Sequence, residues 1–206
     1  MKPIIGIVSK NITIEEFYNW SWQRISNDVR YSINKNGGIV LGILPQTIRK
    51  QFNQEDEHEN IQLKPDEISD VEILLNKCDG IILQGGISSQ KYCYDNNIPL
   101  LGICAGYNNI IRGLSGKAEK IENIDIHDRP DLQYAHKCKI IDKESLFYNI
   151  IGEDLFAVNS VHTYVGTEIP KELSVVAISD DNQVEVVEAK GKTFYIVSAN
   201  SSVSSH

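Results

Sequence analysis

A cysteine set between two glycines at the end of an apolar run is the feature of this chain best suited to covalent chemistry. Pro99-Leu-Leu-Gly-Ile-Cys104-Ala-Gly106 has the form G-x-C-x-G. A buried strand enters, a sharp turn holds one residue, and a helix leaves. Glycines at 102 and 106 let the backbone bend without a Cβ clash. Such a turn lifts the thiol above a sheet at the carboxyl end of a strand, where α/β sheets place their sites. It also aims amide N–H groups and the positive end of a helix at the sulfur, which favours the nucleophilic thiolate. The competing assignment is a core cysteine at a tight strand–helix turn, and the paired glycines weigh against it. Gln84-Gly85-Gly86 ends the preceding strand. A backbone N–H of Gly86, together with that of Ala105, would make an oxyanion hole.

The other titratable candidates carry less. Cys78, Cys93 and Cys138 form no CxxC pair with Cys104 or each other, so no zinc site is expected and small buried apolar residues are the better assignment. His127 and His136 flank Asp128-Arg129-Pro130-Asp131 without a ligand spacing that supports a metal, and the stretch reads as a substrate-specificity loop. Glu55-Asp56-Glu57-His58-Glu59 reads as part of a solvated loop between Gln46 and Pro65. Neither a metal nor a cofactor is expected.

The elements that must position Cys104 alternate. Pro3–Ser9, Ile39–Leu44, Gly80–Leu83 and Ile98–Ile103 are short apolar runs that read as central strands. Tyr18, Trp22, Ile25, Val29 and Ile33 recur at spacings of three and four, which predicts an amphipathic helix over about Glu15–Asn36, stopped by Gly37-Gly38. Val71, Leu74, Leu75 and Cys78 mark a second helix, and Tyr107, Ile110, Ile111 and Leu114 a third that begins just after Cys104. This alternation predicts an α/β domain with a mostly parallel sheet between helical layers. Leu173–Ile178, Val184–Glu188 and Thr193–Val197 read as antiparallel strands attached to the same sheet near the C-terminus.

With 206 residues, 41% hydrophobic and 23% charged, the chain suits one globular domain over 1–206 and not a disordered one. No apolar run reaches the roughly 18 residues of a membrane span. A net charge of −8 argues against a nucleic-acid surface. Met-Lys-Pro-Ile-Ile-Gly-Ile-Val reads as a strand and not a signal peptide, so a reducing cytoplasmic setting is expected.

In this order and spacing the motifs resemble class I (triad-type) glutamine amidotransferases, and within them the γ-glutamyl hydrolase-like branch. The residues that carry the resemblance are Pro3-Ile-Ile-Gly-Ile, Tyr31-Ser-Ile-Asn-Lys-Asn-Gly-Gly38 with Leu44-Pro45, Asp79-Gly-Ile-Ile-Leu-Gln-Gly-Gly86, Gly102-Ile-Cys-Ala-Gly106 and Val158-Asn-Ser-Val-His162. The resemblance implies a flavodoxin-like three-layer fold and attack of Cys104 on a γ-glutamyl amide through a glutamyl thioester. It implies oxyanion N–H groups from Gly86 and Ala105, and contacts to the glutamyl group from Asn108, Ser160, Val161 and His162. The substrate would be glutamine or a γ-glutamyl conjugate. The partner, if any, would be a separate enzyme that accepts ammonia or an amine.

Three departures from the family pattern stand out. Relatives close their chemistry with a His-Pro-Glu turn after a strand; here Thr193-Phe-Tyr-Ile-Val197 is followed by Ser198-Ala-Asn200-Ser-Ser202. Asn200 and Ser202 thus stand at the triad positions, and neither is a general base at neutral pH. The alternatives are a non-catalytic γ-glutamyl-binding or regulatory relative, a substitute histidine (His162 or His206), slow turnover from the elbow alone, or a tail after Val197 read out of frame. Only 17 residues separate Gly86 from Cys104, so the usual crossover helix is expected to be short and one sheet face thinly covered. Thr163-Tyr164 replaces the branch's more usual histidine and glutamine.

Overall fold

The computed structural model describes residues 1–14, 20–45, 65–85, 90–122, 124–191 and 195–197, with the backbone alone at 11–14, 20–21, 65–67 and 195–197. The expected loop at 46–65 lies almost wholly outside the described residues.

Strand β1 (Ile4–Val8) is followed by a hairpin of β2 (Lys10–Ile14) and β3 (Trp20–Arg24), with Ile12 opposite Trp22. Helix α1 (Asn27–Lys35) comes next. The helix expected over Glu15–Asn36 is therefore confined to its second half. Trp20-Ser-Trp-Gln-Arg alternates with period two and finds a partner in Lys10-Asn-Ile-Thr-Ile. That pairing overrides a three-and-four spacing shared by Trp22 and Ile25. The true start of α1 is Ser26, whose hydroxyl accepts from the Asp28 N–H at 3.2 Å. Val29 and Ile33 form its buried face. Gly37, at φ +84°, ends the turn beyond it.

The central sheet has the order β4-β1-β5-β6, all parallel, with β4 at Ile39–Ile43, β5 at Gly80–Leu83 and β6 at Leu100–Gly102. Between them run α2 (Pro65–Leu75) and α3 (Gln90–Asp95), and α4 (Ala105–Gly113) follows β6. Val8, Ile81, Leu83 and Leu100 pack with Val71 and Leu75 of α2, Cys93 of α3, and Tyr107, Ile110 and Ile111 of α4. The opposite face packs Ile7 with Val29 and Ile33 of α1, and Ile5, Val40 and Ile82 join this second cluster. Among the described residues, the crossover between β5 and β6 carries α3, six residues long. The α1 face keeps an apolar groove of about 420 Å³ lined in part by Ile5, Ile33, Ile82 and Leu101. That groove lies on the face opposite α3, so the short crossover does not account for it.

The second half is antiparallel. Its elements are β7 (Lys117–Lys120), β8 (His136–Ile140), α5 (Leu146–Ile151), β9 (Leu155–Val158), β10 (Tyr164–Glu168), β11 (Leu173–Ser179), β12 (Val184–Ala189) and β13 (Tyr195–Val197). β7 pairs with β10, and the rest form a five-stranded sheet in the order β13-β12-β11-β8-β9. The expected antiparallel strands are present; among the described residues they are hydrogen-bonded to one another and not to the parallel strands. β13 pairs with β12 and lies beside β6, so the two sheets meet along that strand. The architecture is an α/β flavodoxin-like sandwich with an antiparallel extension. No helix among the described residues is long and apolar enough to cross a membrane.

Candidate active site

Cys104 sits between β6 and α4 with φ +55° and ψ −114°. A non-glycine residue at positive φ is strained by about 1–3 kcal/mol, and it persists only where its surroundings enforce it. Here they do. The Ile103 N–H bonds to the Leu83 carbonyl at 2.9 Å, the Gly106 N–H to the Ile103 carbonyl at 2.9 Å, and the Tyr107 and Asn108 N–H groups to the Cys104 carbonyl at 3.0 and 3.3 Å. The flanking glycines are sterically required. A Cβ on Gly102 would come within 2.9 Å of the Gly106 carbonyl, and one on Gly106 would overlap the Leu83 carbonyl. The G-x-C-x-G pattern is thus the imprint of a helix that starts in contact with the two strands beneath it.

The cysteine is half-buried and opens into a cavity of about 370 Å³ whose walls are Lys10, Arg24, Ser26, Val29, Gln84 and Ile103. Lys10 and Arg24 are cross-strand partners in the β2–β3 hairpin. Two cations facing the chamber favour a thiolate and an anionic ligand. Sequence reasoning misses both when the segment after residue 15 is read as helix; the period-two run at Trp20–Arg24 is the signal that finds them. Gln84 joins hairpin and sheet by accepting from the Ser26 N–H at 3.1 Å. The hairpin is moored from the other side as well. Ser9 Oγ donates to Gln23 Oε1 at 2.7 Å, and Gln23 Nε2 donates to the Pro45 carbonyl at 2.9 Å.

Of the expected oxyanion donors, Ala105 opens α4 one residue after Cys104, where a helix leaves its first amides unpaired by helical bonds. A Cβ added to Gly85, at φ +128°, would lie 3.2 Å from the Ala105 Cβ, so the turn after β5 touches the start of α4. Gly86, Asn200 and Ser202 lie outside the described residues. Asn108 is on α4, one turn past Cys104 and 4% exposed, and its Oδ1 has no hydrogen-bond partner among the described residues.

Ser160, Val161 and His162 follow β9 in an irregular stretch. Ser160 Oγ donates to the His127 carbonyl at 2.6 Å, the His162 N–H bonds to the same carbonyl at 2.9 Å, and the Arg129 N–H bonds to the Ser160 carbonyl at 2.8 Å. Val161 is exposed and bridges to Asp128. The Ser160 and His162 side chains turn inward, away from solvent.

There they meet a group that sequence reasoning did not assemble. His127, His136 and His162 converge on Glu185 of β12, which is 0% exposed. His127 Nδ1 and His136 Nε2 lie 3.3 and 3.5 Å from Glu185 Oε1, and His162 Nε2 lies 3.6 Å from Oε2. His127 Nε2 is 3.0 Å from Asp181 Oδ2. Burial opposes charge on Glu185, yet the three imidazoles hold it well below the usual carboxylate range. Burial also opposes charge on His127, but Glu185 and Asp181 outweigh it and raise its pKa. Both histidines of the expected specificity loop are therefore buried: His127 is 0% and His136 8% exposed. Two groupings here have ligand atoms within 4.8 Å of one another, His127-His162-Glu185 and His136-Cys138-Glu185. The available signal was Glu185 itself, a carboxylate between valines in a strand that reads as buried.

Comparison with known proteins places these features in a family. The Peptidase C26 family profile matches residues 87–199, more than half of the chain and inclusive of the elbow and the histidine cluster. A glutamine-hydrolyzing GMP synthase of Tolumonas auensis is 30% identical over 132 residues, covering 57% of this chain and 24% of that protein. A glutamine-hydrolyzing GMP synthase subunit of Methanococcus aeolicus is 30% identical over 132 residues, covering 61% of this chain and 65% of that one. The chain thus spans about a quarter of the first relative and just under two thirds of the second. Among solved structures, a protein assigned as a GMP synthase subunit from Thermoplasma acidophilum superposes with a TM-score of 0.66 at 16% identity, over 97% of this chain and 84% of that one. A glutamine amidotransferase from Thermotoga maritima gives 0.60 at 10% identity, over 97% and 76%. From the family match, the chain belongs to the Peptidase C26 family, and its fold is that of the class I glutamine amidotransferases.

Proposed function

We propose that this domain hydrolyses a γ-glutamyl amide, glutamine or a γ-glutamyl conjugate, with Cys104 as nucleophile. The observation that carries the reading is the strained backbone of Cys104, held at φ +55° above a chamber with Lys10 and Arg24 in its wall. The Cys104 sulfur attacks the γ-carbonyl carbon. The oxyanion that forms takes N–H bonds from Ala105 and Gly86. Collapse of the intermediate breaks the C–N bond, the leaving nitrogen takes up a proton, and a glutamyl thioester remains. Water then cleaves the C–S bond to give glutamate and the thiol. The two chamber cations suit the α-carboxylate of a glutamyl group. Asn108, Ser160, Val161 and His162 complete the binding region, the first through its unfilled buried acceptor. The relatives named as one subunit of a GMP synthase support a partner chain that takes up the ammonia, and the γ-glutamyl hydrolase-like motifs support release of an amine; either suits a reduced thiol in a cytoplasmic setting.

A second reading has its own observation. Asn200 and Ser202 occupy the positions of the family's histidine and glutamate, which favours a γ-glutamyl-binding or regulatory relative without turnover. Labelling with 6-diazo-5-oxo-norleucine, read by intact mass and peptide mapping, separates the two. Stoichiometric modification of Cys104, blocked by glutamine, is expected for a working nucleophile and pocket. A folded protein that stays unmodified at Cys104 refutes the hydrolase and leaves the binding module.

A further inference from the structure

We propose that His127, His162 and Glu185, with His136 against the same carboxylate, form a buried binding site for a divalent metal ion of the zinc class. The inference does not depend on the hydrolase reading.

His136 Nδ1 lies 3.2 Å from the Ile126 carbonyl and His162 Nδ1 lies 3.1 Å from the Tyr164 carbonyl. His127 Nε2 lies 3.0 Å from a carboxylate oxygen of Asp181. Carbonyls and carboxylates only accept, so each of these ring nitrogens carries the hydrogen. The opposite nitrogens, His127 Nδ1, His136 Nε2 and His162 Nε2, therefore present lone pairs, and all three face the carboxylate of Glu185. Among the described residues neither these nitrogens nor the two Glu185 oxygens have a hydrogen-bond partner. A second proton on His127 would relieve one of the contacts. Two lone pairs would still face an anion in the protein interior, a costly arrangement unless a cation lies between.

A metal ion supplies that cation, and the geometry suits one. Ligand atoms 2.0–2.1 Å from a tetrahedral zinc ion are about 3.3 Å apart. The nitrogen–oxygen separations here are 3.3, 3.5 and 3.6 Å. Each imidazole hands its other N–H to a carbonyl or carboxylate, the arrangement that fixes tautomer and ring orientation in metal-bound histidines. The charges also close: Glu185 and Asp181 together balance a divalent ion, with the rings neutral. Imidazole and carboxylate ligands without thiolate suit zinc and its neighbours better than calcium or magnesium. Cys138 lies at ligand distance from His136 and Glu185 but is not grouped with His127 and His162, so the nitrogen–oxygen set is preferred. Bound there, the ion would pin three separate segments: 124–128, the Val158–His162 stretch and β12.

The test uses the full chain. Metal content is measured by mass spectrometry after purification, and the chelator-stripped protein is titrated with Zn²⁺ against a chromophoric competitor and, separately, with Co²⁺ in the visible range. One equivalent of Zn²⁺, a Zn²⁺-dependent rise in Tm, and Co²⁺ bands of a four-coordinate site without a thiolate charge-transfer band are expected. Glu185→Gln should abolish the stoichiometric binding. Asp181→Asn, which changes the partner of His127 and Ser179 but none of the ligands, should weaken it by about 10–100-fold. No binding by the stripped wild-type protein, binding that survives Glu185→Gln, or a thiolate band with Co²⁺ would each overturn the assignment. The wild-type titrations decide the matter even if a variant does not fold.

Discussion

The hydroxyl of Tyr107 donates to the carbonyl of Val184 at 3.0 Å, joining the helix that leaves Cys104 to the strand that carries Glu185. Tyr107 lies three residues past Cys104 and is 0% exposed. The parallel sheet and the antiparallel one thus share a polar fastener directly behind the candidate active site. Tyr107→Phe keeps the ring's packing and leaves the Val184 carbonyl without this donor. The loss of one such bond is expected to lower stability by about 1–2 kcal/mol, read from urea unfolding. An unchanged midpoint and slope would show that the two sheets do not rely on it.

Stability should also fall in alkali. Burial pushes the Cys93 thiol up to about 12, whereas in the unfolded chain a thiol titrates near about 8.5. Above that lower value the unfolded state has released a proton that the folded state retains. The contribution is therefore intact below about pH 8.5 and is lost at about 1.4 kcal/mol per pH unit as pH rises toward 12. Unfolding free energies between pH 8 and 11 are expected to decline less steeply for Cys93→Ala than for the wild type. Equal slopes would mean that Cys93 ionises alike in both states.

Gly106→Ala is expected to damage the elbow far more than Gly37→Ala damages the end of α1. An added methyl at 106 would overlap the Leu83 carbonyl, while at 37 it would meet nothing within 4 Å and suffer only the positive φ of +84°. The second change should cost about 1 kcal/mol. The first forces α4 away from β5, with a loss of several kcal/mol or of folding. Thermal melts of the two variants side by side decide it, and equal losses would refute the close packing of α4 on the strand.

These outcomes bear on how much was legible beforehand. The parallel strands and the elbow were, because their signals are local: short apolar runs, and glycines where a carbonyl leaves no room for a side chain. The hairpin was not, because Trp22, Ile25, Val29 and Ile33 fit a helical face as well as Trp20–Arg24 fits a strand, and only the partner strand decides between them. With the hairpin went Lys10 and Arg24, the cations in the wall of the Cys104 chamber. The histidine cluster was illegible for a different reason. Its members come from a loop, β8, the Val158–His162 stretch and β12, at spacings that no short motif links. Each alone is an ordinary buried polar residue, and only the fold brings their lone pairs to one carboxylate.

Asn200 and Ser202, which stand where the family resemblance leads one to expect His and Glu, permit the most decisive test of chemistry. Asn200 cannot accept the thiol proton, and Ser202 cannot orient a base as a carboxylate does. A positioned general base contributes about 10²–10⁴-fold. Replacing Asn200 by His together with Ser202 by Glu is therefore expected to raise glutamine hydrolysis by about that factor, measured as ammonia released. Ser202→Glu alone should do nothing, since a carboxylate there has no ring to hold. Cys104→Ala in the doubly substituted background should abolish the gain, which ties it to the elbow. If the double variant labels at Cys104 yet hydrolyses no faster, the missing base is not what limits the site, and the reading as a γ-glutamyl-binding relative takes its place.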